Sequence, residues 1–147
     1  MTQPETQAIF TSCYGRLKVI PADVTPVCIS RGKPVWFKGP SYLDLAPTRE
    51  MLKMSLDDYN VNFDQILARL DPRKVAEDMA AIASRVALLC WEAPGLCCHR
   101  RRVAEWLEQG LGIVVEEIGM ARTDTPAYAD SPLKESRKSA KTKGLFM

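Results

Sequence analysis

The chain has 147 residues, 46% of them hydrophobic, which suits one domain with a real core. Its formal net charge of +2 is unevenly placed: residues 122–147 hold six bases and three acids, which leaves fourteen bases and fifteen acids in residues 1–121. The body is therefore not a basic protein, and any nucleic-acid contact has to come from a local patch or from the tail; no apolar run of about eighteen residues suggests a membrane span, and the polar start Met1–Gln7 lacks a signal-peptide pattern, so the expected location is the cytoplasm, with no membrane partner.

The pattern along the chain predicts an α/β protein: a small three-layer domain over residues 1–121, with a mostly parallel central sheet flanked by helices, and a flexible, disordered basic tail over 122–147. Residues 8–13 read as a first strand and 26–30 as a second, with Tyr14-Gly15-Arg16 as the turn after the first. Glycines and prolines from Arg31 to Pro47 predict a long irregular stretch, a kind of segment that is often functional. A short helix is expected near 48–54. A longer one over about 56–70 carries Leu56, Tyr59, Phe63, Ile66, Leu67 and Leu70 on one stripe, with Ser55 and Asp58 as a variant capping box. Asp71-Pro72 restarts a helix with N-cap and first-turn proline, and its apolar line is Val75, Met79 and Ile82. Val86 to Trp91 is almost wholly apolar, as in a strand buried on both faces. A loop, a helix over about 98–109 ended by Gly110, and a strand over 113–118 complete a βαβ unit. The tail lacks apolar periodicity.

Five cysteines, Cys13, Cys28, Cys90, Cys97 and Cys98, form an odd set. Without a leader sequence they read as reduced packing residues, ligands or reactive thiols.

The candidate site is the segment Cys90–Arg102. Ligands of α/β sheets bind beyond the carboxyl ends of the strands, and this loop also opens a helix, whose free N–H groups favour anions. His99, Arg100, Arg101 and Arg102 place cations where the helix dipole disfavours them. Arg101 has Glu105 four residues on, and Arg102 is placed to cover Trp106. Arg100 is in phase with the core positions Val103 and Leu107 and so needs a counter-charge. The counter-charge is either Glu92, as a structural pair, or the phosphate or carboxylate of a ligand. Cys98 sits near the helix N-cap, where its thiol is acidified. His99 is the chain's one histidine. Glu92, Cys98 and His99 are thus the candidate catalytic groups, although neighbouring helical residues such as Cys98 and His99 do not face each other. A capping or packing role for Cys98 is the plainer alternative. Zinc held by Cys90, Cys98 and His99, with Cys97, is the candidate metal site, against the usual ligand spacing.

A second patch, Arg31 to Lys38, interleaves bases with aromatics: Arg31, Lys33 and Lys38 suit phosphate, and Trp36 suits stacking on a base. The plainer alternative is a surface loop whose Trp36 plugs the core edge, and Phe37 reads better in such a structural role. The end of the tail, Leu145-Phe146, resembles the end of a peptide that binds the DNA sliding clamp.

Tyr14-Gly15, Ser30 to Gly39, Leu89-Cys90-Trp91-Glu92, Cys98-His99-Arg100 and Val103 to Leu107 together resemble a bacterial and phage family of uncharacterised proteins, domain of unknown function 488, over residues 8–118. The resemblance implies a small α/β domain whose shared polar residues are Glu92, Cys98, His99 and Arg100, with Arg31 and Lys38 from the basic loop; Tyr14, after the first strand, is a further candidate ligand-binding residue. It implies no reaction. The functional expectation is therefore a phosphate-bearing ligand, a nucleotide or nucleic acid, bound at the site and processed there. The alternative is a non-catalytic nucleic-acid or protein-binding module in which Cys98-His99-Arg100 is a structural corner.

Overall fold

The computed structural model describes residues 8–91 and 99–119. The strands are β1 (Ala8–Cys13), β2 (Thr25–Cys28), β3 (Arg85–Cys90) and β4 (Glu116–Glu117), and the helices are α1 (Leu56–Ala68), α2 (Pro72–Ile82) and α3 (His99–Leu111). All pairings are parallel, and the order across the sheet is β2-β3-β1-β4. The expected α/β architecture is therefore present, with an all-parallel sheet. No described helix is long and apolar enough to cross a membrane.

Alternation along the strands divides the core in two. Ile9, Val27, Val86, Leu88 and Val115 face a layer that contains all three α-helices, represented by Tyr59, Phe63 and Leu67 of α1, Val75 and Met79 of α2, and Val103, Ala104 and Leu107 of α3. The intervening residues Cys28, Ala87 and Leu89 face Tyr14, Val24 and Phe37, with Leu17 and Ile20 alongside. Among the described residues this second face is covered by a 3-10 segment, Tyr14–Val19, and by the loop holding Phe37, rather than by an α-helix. The central strand β3 is buried from Val86 to Cys90, as its apolar run predicts.

Local chemistry sets the helix limits. Ser55 accepts a hydrogen bond from the Asp58 N–H, and Asp71 accepts one from the Arg73 N–H with Pro72 in the first turn. Residues 48–54 form only a 3-10 turn, Glu50–Lys53. Gly110 does not end α3. It lies where a Cβ would collide with the Pro72 ring, so its missing side chain lets α3 pack on the start of α2. The stop comes at Gly112, whose φ of 68° is the left-handed conformation that glycine tolerates. The last strand is two residues long instead of six, and Ile113 and Val114 before it are exposed.

Leu88 lies at the centre of the sheet with no solvent exposure. Leu88→Ala should remove about 2–5 kcal/mol of stability, read as a lower urea midpoint at unchanged slope; an unchanged midpoint would contradict this core assignment.

Candidate functional site

The connection leaving β1 runs onto the second face through the Tyr14–Val19 segment, whereas the one leaving the adjacent β3 leads to α3 on the helical face. Neighbouring parallel strands whose connections diverge in this way open a crevice at their carboxyl ends, where α/β proteins bind ligands. Cys13 and Cys90 are register partners at this point. Tyr14, Trp91 and the first turn of α3 surround it. Cys28 ends β2 next to it.

Arg100 extends from α3 into the core and is 1% exposed. Its Nη2 lies 2.7 Å from Glu117 Oε2, its Nε donates to Glu117 Oε1 at 3.1 Å, and its Nη1 donates to Cys90 Sγ at 2.9 Å. Glu117 also accepts a 2.6 Å bond from the Thr11 hydroxyl. The counter-charge that the sequence demanded is thus Glu117 on β4, which the sequence reading missed. The clue was its place two residues after Val115, on the same face of the strand. A two-pronged, fully hydrogen-bonded pair is the form in which a buried guanidinium is tolerable.

The flanking arginines also have protein partners. Arg101 makes the expected pair with Glu105, at 3.3 Å, yet is buried rather than on the surface, with Glu108 3.7 Å away. Arg102 reaches across to α1, where its Nε donates to Asp64 at 2.7 Å, instead of merely covering Trp106.

His99 is buried, with its ring edge-on to Phe63 and its Nε2 2.6 Å from the Ile29 carbonyl oxygen. A carbonyl only accepts, so Nε2 carries the proton in this bond. That nitrogen is neither a base nor a metal ligand in this arrangement. Glu92, Cys97 and Cys98 lie outside the described residues, as do the tail and Leu145-Phe146. Among the described residues no group of three His, Cys, Asp or Glu side chains is placed to share a metal ion.

Tyr14 is buried with its hydroxyl 3.0 Å from Cys28 Sγ and 2.7 Å from Ser30 Oγ. Its ring meets Phe37 and Trp91 edge-on, at centroid distances of 5.4 and 5.0 Å. Burial and the neighbouring Cys28 push the phenol above its ordinary pKa. Burial acts to raise the Cys28 thiol too, but hydrogen bonding from Tyr14, Ser30 and Ser41 outweighs it, and the thiol is more acidic than usual. Cys13 goes the other way, raised by burial against the lowering effect of Arg100.

The basic loop is pinned at several points. Arg31 Nε donates to the Pro47 carbonyl at 2.8 Å, Trp91 Nε1 donates to the Gly32 carbonyl at 2.9 Å, and the Phe37 N–H closes a turn onto Pro34 at 3.0 Å. Phe37, and not Trp36, plugs the core, because its ring and not the indole turns inward, and Lys33 Nζ stands 5.8 Å above the Phe37 ring. Trp36 remains 57% exposed and Val35 90% exposed, with Lys33 and Lys38 exposed on either side. The structure thus brings Tyr14 and Lys33 together through Phe37, with Trp91 also against Tyr14, and sets Arg100 on Cys90 at the end of β3, while Arg31, Trp36 and Lys38 share the loop after β2. Of these, Lys33, Trp36 and Lys38 are exposed, and Arg31 is partly so. A hollow of about 310 Å³ between α1 and α3 and another of about 430 Å³ beside β4 include none of these residues. Compared with family models, curated proteins and solved structures, the chain matches none.

Breaking the Arg100–Glu117 pair from one side strands a buried charge. Arg100→Met should cost about 3–5 kcal/mol, whereas Arg100→Met with Glu117→Met should recover much of that loss; additive losses in denaturant melts would show that the two groups are not coupled. For Tyr14 the sign is that of a raised acid: the native state holds the proton more tightly, so its stabilising effect is complete below the ordinary phenol pKa of 10 and is lost as pH rises beyond it. The melting temperature should fall above pH 10, and Tyr14→Phe should make that alkaline fall shallower; an identical slope in both proteins would remove Tyr14 as its source.

Proposed function

We propose that this protein binds a phosphate-bearing ligand, a nucleotide or nucleic acid, at the carboxyl edge of its sheet, and that the basic loop supplies the contacts while His99-Arg100 serves as a structural corner. The observation that carries this reading is the exposed Trp36 between two exposed lysines, on a loop pinned beside the crevice between β1 and β3. Lysine ammonium groups attract phosphate as point charges, and an indole held in water offers its face to a base. Arg100 and His99 support the corner rather than the ligand, because their side chains are buried and bond to Glu117 and Cys90 and to the Ile29 carbonyl. The resemblance to the uncharacterised family agrees with this placement through Arg31 and Lys38. The buried free thiols Cys13, Cys28 and Cys90 suit a reducing compartment, the cytoplasm.

Turnover would draw on Glu92 and Cys98, which lie in sequence between β3 and α3. Binding is the simpler claim and comes first.

Thermal unfolding of the full chain should be measured against inorganic phosphate, nucleotides and short oligonucleotides. A ligand at a hundred times its dissociation constant adds about 2.7 kcal/mol, so at least one of these should raise the melting temperature, and Lys33→Ala with Lys38→Ala should abolish the rise. No shift with any phosphate compound would overturn the reading.

A further inference from the structure

Charge is segregated between the two faces of the sheet. Residues 14–40, which form the cover of the second face together with the edge strand β2, contain five bases, Arg16, Lys18, Arg31, Lys33 and Lys38, and one acid, Asp23. Residues 41–84, which supply α1, α2 and the turns beside them, contain eight acids and five bases. Asp23 is itself paired with Arg85, at 3.1 Å. None of the five bases of the second cover forms an ion pair among the described residues. Lys18, Lys33 and Lys38 are exposed, and Arg16 and Arg31 are partly so.

A mononucleotide is usually enclosed by a pocket that buries most of its surface. Trp36 and Val35 instead stand out from the loop, and neither described hollow is lined by them. An open indole flanked by cations matches a different ligand, a flexible polyanion with unpaired bases, since stacking needs a splayed base and tracking a backbone needs several separated cations. A duplex keeps its bases stacked inside and offers the indole no face.

Resting on the phosphate-binding reading above, we propose that the ligand is single-stranded nucleic acid, lying across the cover built by residues 14–40, with one base stacked on Trp36 and phosphates held by Lys33, Lys38 and neighbouring bases of that cover. Residues 41–84 of the helical layer, with eight acids against five bases, attract the same ligand less than this cover does.

Fluorescence anisotropy of the full chain with labelled twelve-residue thymidine and uridine oligomers tests this, with the matching duplex and with ATP as comparisons. Single strands should bind more tightly than duplex or ATP. Trp36→Ala should weaken binding about 5- to 150-fold, the range that one base stack represents, and Trp36→Phe should retain most of it. Lys33→Ala with Lys38→Ala should flatten the salt dependence of log affinity by about 1.4, since each single-strand phosphate contact contributes about 0.7. Lys74→Ala, on the helical face, should change nothing. If ATP or phosphate binds and single strands bind no better, the single-strand inference fails and the phosphate-binding reading stands. If single strands bind and Trp36→Ala leaves the affinity unchanged, the surface is elsewhere and the inference also fails. If no phosphate compound binds, both fall.

Discussion

The buried Arg100–Glu117 pair is the constraint on which the carboxyl edge depends. A guanidinium in a core is tolerable only when its donors are met, and here the partners come from three places: Glu117 on β4, Cys90 at the end of β3 and, through Glu117, Thr11 on β1. The pair therefore sets where α3 begins relative to three strands. It also explains why a strand as short as β4 belongs to the sheet: Glu117 is held by a charge, while Val115 beside it enters the apolar core. Arg100 points inward to Glu117 and His99 donates to the Ile29 carbonyl, so both side chains at the start of α3 are bonded within the protein. Lys33 and Lys38, which meet solvent, lie on the loop after β2.

That division gives the two faces of the sheet different work. The helical face is deep and holds Tyr59, Phe63, Met79 and Leu107. The second face has a thin cover in which Tyr14 bridges the core and a polar knot of Cys28 and Ser30. The aromatic edges of Phe37 and Trp91 roof Tyr14, and through them the basic loop is tied to the end of β3. A pinned loop loses less entropy on capturing a ligand than a free one, which favours an exposed residue such as Trp36 as a contact point.

Much of the fold was legible because local signals agreed. The buried run of β3, the Ser55 and Asp71 caps and the stripe of α1 each had one physical reading, and Phe37 as a core plug followed from its loop. The failures have particular causes. Gly110 looked like a stop because a glycine so often ends a helix, yet here it makes room for Pro72, a contact sequence spacing does not show. Ile113 and Val114 carried a strand pattern that their exposed position does not use. Arg100 was recognised as a buried charge, but its partner lay seventeen residues away on another element, beyond any helical rule. Arg102 and Asp64 met for the same reason: α1 and α3 pack together, and packing partners are a property of the fold. The hydroxyl knot around Cys28 had no sequence signal, since the ends of β1 and β2, on either side of β3, have to converge before it exists.

The central claim is that the ligand surface is the basic loop and its neighbours, with the start of α3 as support. Amide chemical-shift mapping of the full chain during titration with a short single-stranded oligonucleotide tests it most directly. The account predicts the largest shifts at Arg31–Lys38 and at Gly15–Lys18, with α1 and α2 unchanged. Shifts centred on α1 and α2, or on the first turn of α3 with the loop silent, would contradict it.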